Sequence, residues 1–318
     1  MRHDEITYGT DDNSYRGRIV GYHQSPSPRE MHKGAKSRDI AALKRNDLKN
    51  FFSINGGDFQ AKFSIGLEVE KNRLHRGAVT QYPLFKGFET DSSCGYEAIT
   101  NILPLLPSGK WRNKVFNMFH EANRIIDDSY SPSDYTCGGH ITIGVDGISG
   151  YELQKLARRY SGILYALFRK RLRNSYCRFD IFMDCDNPMG LNVFNRAKYR
   201  VCKVSQNTIE FRLPSRFQSV KQVMRRYELM YELIDASVNR PNGSFSSFLK
   251  KVTPIVKSMY GGDMEKTNEV LELAKSFQKM INTKKVNRAV IPFIDPMNEL
   301  NPDLYYDRDL ISNGYRQY

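Results

Sequence analysis

Three short stretches, far apart in the chain, carry ionisable side chains at alternate positions. They are Glu68 and Glu70 in Phe63-Ser-Ile-Gly-Leu-Glu-Val-Glu70, His140 and Thr142 in Gly139-His-Ile-Thr-Ile-Gly-Val145, and Glu210 and Arg212 in Thr208-Ile-Glu-Phe-Arg-Leu213. Residues two apart in an extended chain share a face, and there they lie about 7 Å from one another. A divalent cation fits beside or between two carboxylates so placed. Adding Glu97, which borders the apolar run 99–106, gives a set of oxygens with one imidazole from His140. That set suits Mg²⁺ or Mn²⁺ better than zinc. Guanidinium groups such as Arg212 and Arg200 then hold phosphate oxygens that the metals bridge, so the chemistry indicated is phosphoryl transfer on a sheet face.

The elements that must position these groups follow from the same alternation. Phe63, Ile65, Leu67 and Val69 share one face, as do Ile141, Ile143 and Val145, and Ile209, Phe211 and Leu213. Each predicts a strand with an apolar side toward a core and a polar side carrying the acids, the imidazole and the guanidinium. Between Asn195 and Val204 a further alternation puts Arg196, Lys198 and Arg200 on one face. A turn at Ser205-Gln-Asn207 joins it to the Glu210 strand as a hairpin, which sets those cations beside Glu210 or across from it, depending on register.

Helical spacing predicts one helix within 37–52 and another over 111–127, with Val115, Met118, Phe119, Ala122 and Ile126 inward. Ser149-Gly-Tyr-Glu152 reads as a capping box opening a single helix with the stripe Leu153, Leu156, Tyr160, Ile163, Leu164 and Leu167. Three more helices are expected over 219–238, 244–259 and 263–281, and a strand near 178–183. The resulting plan is α+β: an N-terminal extension over 1–60, a main domain over 61–240, and helices with an extended tail over 241–318.

Composition narrows the class. The 318 residues are 40% hydrophobic and 12% aromatic, values of a globular chain. No apolar run approaches the roughly 18 residues that cross a bilayer, and the acidic start lacks an apolar segment behind it. These features point to a soluble, cytoplasmic protein without a membrane partner. Five cysteines, odd in number and without a Cys-x-x-Cys pair, argue for reduced and mostly buried thiols rather than a disulfide framework or a zinc ribbon. The net charge of +13 is concentrated: residues 151–226 hold 17 lysines and arginines against five acids. Such a field implies a polyanionic partner, nucleic acid or the phosphates of a nucleotide. Neither a P-loop nor a Rossmann fingerprint is present, so nucleotide binding falls to the sheet face itself.

Taken in order, Gly66-Leu-Glu-Val-Glu70, Asp91-Ser-Ser-Cys-Gly-Tyr-Glu97, Cys137-Gly-Gly-His-Ile-Thr142 and Thr208-Ile-Glu-Phe-Arg212 resemble the motifs of the amidoligase family. This is a branch of the carboxylate-amine ligases related to glutamate-cysteine ligase and glutamine synthetase, and the resemblance covers residues from about 63 to 238. It implies a curved antiparallel sheet backed by helices, with ATP and Mg²⁺ on the concave face. It further implies metal or metal-phosphate positions at Glu68, Glu70, Glu97, His140 and Glu210, and the phosphoryl-stabilising arginine at Arg212. Arg200, with Arg196 and Lys198, falls at a basic position contacting phosphate or a substrate carboxylate. Thr142 stands where many relatives have a second histidine, at a nucleotide contact. The implied reaction activates a small-molecule or peptide carboxylate as an acyl phosphate, which an amine attacks to form an amide bond. The rival reading keeps the fold for a nucleic-acid-binding or virion structural role.

Overall fold

The alternation over 63–71 forms the central strand of an antiparallel sheet, β1 (Phe63–Lys71). In the computed structural model the described residues are 63–74, 82, 84–91, 93–100, 103–107, 119–134, 136–145, 147–173, 177, 200–205 and 208–283. The expected helix within 37–52, the strand near 178–183, Arg196, Lys198 and the C-terminal tail lie outside them. Residue contacts divide the chain into two units. The first is the described residues up to Ser149 with Arg216–Met224, and the second is Gly150–Ser215 with those from Arg225 on.

In the first unit β1 is flanked on both sides. One neighbour is β5 (Gly139–Val145), with Glu68 opposite His140 and Gly66 opposite Thr142. Along the other edge run β3 (Gly95–Thr100) and the short β4 (Leu103–Pro104), and β2 (Phe85–Asp91) pairs with β3. All of these pairings are antiparallel. Thr100 fills the break between β3 and β4, its Oγ1 accepting from Leu67 N at 2.9 Å.

One face of β1 and β5 buries Ile65, Leu67, Val69, Ile141, Ile143 and Val145, as their spacing requires. Phe119, Ala122, Ile125 and Ile126 are buried as well, the last two in the short helix α1 (Asn123–Ile126). The polar face is buried too, because every residue of β1 and of β5 is. The polar residues of these strands are therefore withdrawn from solvent and must find partners within the protein.

Lys71, the last residue on the apolar face, is fully buried. Its Nζ donates to Ile126 O, Asp128 Oδ1 and Phe217 O, each at 2.7 Å, which uses all three ammonium protons. Burial pushes its pKa below the ordinary 10.5, against the opposing pull of Asp128. This lysine ties the end of β1 to the end of α1, where the carbonyl dipole favours a cation, and to the 216–224 segment.

The second unit is mainly helical. The expected helix from Gly150 divides into α2 (Gly150–Ala157) and α3 (Gly162–Leu167), followed by a 3₁₀ turn (Arg169–Arg173). The break has a packing reason: a Cβ at Gly162 would lie 2.6 Å from Ala274 O, so only glycine lets α3 sit this close to α6 (Met264–Thr283). Tyr165 and Phe277 meet across that contact with ring centroids 5.9 Å apart. Helices α4 (Val220–Asn239) and α5 (Phe245–Met259) fall where their periodicity predicts. Ser244 caps α5, its side chain accepting from Ser247 N. The hairpin is also present: β6 (Cys202–Val204) pairs antiparallel with β7 (Thr208–Phe211). The start of α2 rests on it so closely that a Cβ at Gly150 would lie 2.0 Å from Ser205 O.

Candidate metal centre

Register brings four ionisable side chains of the first unit together. Glu70 lies opposite Glu97 on β3, and Glu68 lies opposite His140 on β5. Directly opposed residues on antiparallel strands hold their Cβ atoms about 5 Å apart on one face, so the four side chains must converge. One ligand atom from each of Glu68, Glu70, Glu97 and His140 lies within 4.8 Å of all the others. All four residues are at most 4% exposed.

The carboxylates are held in place from below. His140 Nδ1 is 2.7 Å from Glu68 Oε2 and 3.3 Å from Glu70 Oε1. Gly138 N donates to Glu70 Oε2. Thr142 is buried one row along the same face, opposite Gly66, which adds no side chain of its own.

Three carboxylates this close repel one another, and burial strengthens the repulsion. A divalent cation offsets it while using oxygens already aimed at one point. Three carboxylates and one imidazole form the mixed oxygen and nitrogen set that Mg²⁺ or Mn²⁺ accepts. The four residues could therefore hold a divalent cation.

Glu210 and Arg212 belong to the second unit. Arg212 Nη1 donates to Glu210 Oε1, and Lys203 Nζ lies 3.4 Å from Glu210 Oε2. Lys203 stands directly opposite Glu210 in the hairpin, so the register gives that cross-strand position to Lys203 rather than to the cations of 196–200. The sequence signal for it was present, a lysine two residues before the turn, but the choice depends on pairing. Arg200 is half-buried, one residue before Val201, whose carbonyl accepts from Arg212 N at 2.9 Å.

Five arginines of the basic segment are turned inward, while Lys155 and Arg159 are exposed. Arg171, Arg212, Arg216, Arg225 and Arg226 are all under 9% exposed. Arg226 donates to Ser215 O and Ser215 Oγ and lies over the Phe168 ring at 5.1 Å, which gives this charge a structural task. Among the described residues, no helix is long and apolar enough to cross a membrane. The chain matches no protein-family model and no curated protein.

Proposed function

We propose that this chain is an ATP- and Mg²⁺-dependent carboxylate-amine ligase of the amidoligase type. The observation that carries the reading is the convergence of Glu68, Glu70, Glu97 and His140 within 4.8 Å on buried, antiparallel strands. The motif resemblance named these four, together with Glu210, as metal or metal-phosphate positions; Glu210 instead pairs with Arg212 and Lys203. The α+β architecture around an antiparallel sheet is the coarse form of the fold the resemblance implies.

In this reading Glu68, Glu70, Glu97 and His140 hold the cation, whose charge would draw phosphate oxygens and favour attack at phosphorus. Glu68 and Gly138 orient His140 and Glu70 so that the ligand atoms are preorganised. The motif resemblance assigns Arg212, which donates to Glu210, to the charge that would develop on the transferred phosphoryl group. Lys203 and Arg200 add positive charge for a phosphate or a substrate carboxylate. The substrate carboxylate becomes an acyl phosphate, and an amine displaces phosphate to give the amide. The burial of Arg171, Arg212, Arg216, Arg225 and Arg226 withdraws these five from a nucleic-acid surface, which would present its cations to solvent.

The test is ADP release by the full chain with ATP and Mg²⁺ over a panel of amino acid and peptide carboxylates paired with amines, with amide products read by mass spectrometry. One pair should give stoichiometric ADP and amide. Arg212→Ala should then lower kcat by about 10² to 10³, and Glu70→Gln should abolish turnover. Wild-type turnover in both variants would refute the assignment.

A further inference from the structure

The two ladders of β1 end at different places. Its pairing with β5 stops where Val69 faces Gly139, whereas its pairing with β3 runs on to Lys71 opposite Tyr96. Ahead of β5 the ladder gives way to side-chain bonds. Glu70 accepts from Gly138 N, and Asn72, the first residue beyond β1, reaches Thr136.

Asn72 is half-buried, and its Nδ2 carries two protons. It donates to Cys94 O and to Thr136 Oγ1, each at 3.3 Å, so one amide serves the approach to β3 and the approach to β5. A carbonyl oxygen can only accept, which fixes the amide with its nitrogen toward Cys94. Thr136 gives its own hydroxyl proton to Asp134 Oδ1 at 2.6 Å, leaving its oxygen to accept from Asn72. Asp134 Oδ1 also accepts from Thr136 N at 2.8 Å, and Asn72 N donates to Pro132 O at 2.9 Å. The acceptor is thus held at two points besides Asn72. On the other side Gly95, at φ +105°, sits against the same residue: a Cβ there would lie 2.9 Å from Asn72 O.

Both ends of this bridge lead to the acidic cluster within a few residues. Thr136 stands two residues before Gly138, whose N–H holds Glu70, and four before His140; Cys94 stands three before Glu97. A shift at either end therefore reaches a ligand group through a short length of backbone.

We propose that Asn72 is a positioning residue for the cation site: by tying Cys94 to Thr136 it sets the spacing between the strand that brings Glu97 and the strand that brings Gly138 and His140. The tie stands on its own hydrogen bonds, whereas its effect on a cation rests on the metal-site reading above. Asn72 acts through the backbone, fixing where the carboxylates stand without supplying a ligand.

The experiment uses the full chain with Asn72→Ala, with Thr136→Val and with both, since the two substitutions remove one hydrogen bond from opposite ends. Three quantities are measured: hydrogen exchange of the Gly138 amide in the metal-free protein, Mn²⁺ affinity by titration, and the EPR spectrum of the bound Mn²⁺, which reports the symmetry of its ligands. Each single variant should speed Gly138 exchange, alter the bound spectrum and lower Mn²⁺ affinity by about tenfold, the smaller end of what losing an outer partner costs. The double variant should be little worse than Asn72→Ala, because the same interaction has been removed twice. Faster exchange with unchanged affinity and spectrum is what a merely structural residue gives, and it overturns the positioning role. Unchanged Gly138 exchange in both single variants overturns the tie, and additive losses in the double variant overturn the Asn72–Thr136 link. Should Asn72→Ala not fold, Thr136→Val decides on the same readings. A parent that binds no Mn²⁺ overturns the cation site and the positioning role with it, and Gly138 exchange still decides the tie.

Discussion

Glu70 lies directly across the β1–β3 ladder from Glu97, with both carboxylates buried. Like charges in directly opposed positions destabilise a sheet, and burial removes the water that would screen them. Under the metal-site proposal, a bound cation would offset this folding cost. Stability and metal affinity should therefore move in opposite directions when one of these charges is removed.

Glu97→Gln tests this relation. The metal-free variant should be more stable than the parent by about 1 kcal/mol in urea unfolding, since a neutral amide of the same shape relieves the repulsion. Its Mn²⁺ affinity should fall at least tenfold. The parent alone should gain about 2.7 kcal/mol at a free Mn²⁺ concentration one hundred times its Kd. A destabilised metal-free variant would contradict the charge argument.

Lys71→Met tests the buried ammonium. Methionine keeps much of the packing volume but strands Asp128, Ile126 O and Phe217 O, three acceptors that Lys71 now serves. Asp128 retains Ser133 Oγ and Gln218 Nε2 as donors, which softens the loss. We expect destabilisation by about 3 kcal/mol, measured by urea unfolding at pH 7. A change under about 1 kcal/mol would mean that the lysine is not the clasp its contacts indicate.

Asp235 makes the acid limb of stability testable in the second unit. Burial raises its pKa, but the Asn239 hydrogen bond, the Lys251 and Arg240 charges and the Arg240 hydrogen bond outweigh this and hold it below the ordinary 3.8. A carboxylate depressed in the folded state contributes stability that is complete above 3.8 and disappears as pH falls through the folded value. Asp235→Asn should therefore cost under about 1 kcal/mol at pH 7, because its partners are solvent-exposed. Below 3.8 the variant and parent should converge in urea midpoint. A gap that widens with acid would reverse the sign argued here.

Strands β1, β5 and β7 and the long helices were legible because their signals are local, whereas β2, β3 and β4 were not expected as strands. Alternation of apolar residues marks β1, β5 and β7, and 3.6-residue spacing marks α4, α5 and α6. Local patterning failed where a distant backbone intervened. The stripe from Leu153 to Leu167 supports one helix, yet the approach of α6 at Gly162 accompanies a break that nothing nearby in the sequence announces. Lys71 ends an otherwise apolar face, and its acceptors come from segments 55 and 146 residues away. Lys203 became the partner of Glu210 through hairpin register.

By itself the sequence determined which residues share a strand face, because side-chain direction in extended backbone is set by covalent geometry at a period of two. That placed Glu68 with Glu70, and His140 with Thr142. Only tertiary structure decided which strands became neighbours and in what register: Glu70 against Glu97, and Glu68 against His140. Pairing is chosen by the burial of whole faces and by the turns that close them, and a one-residue slip would turn every one of these side chains to the opposite side.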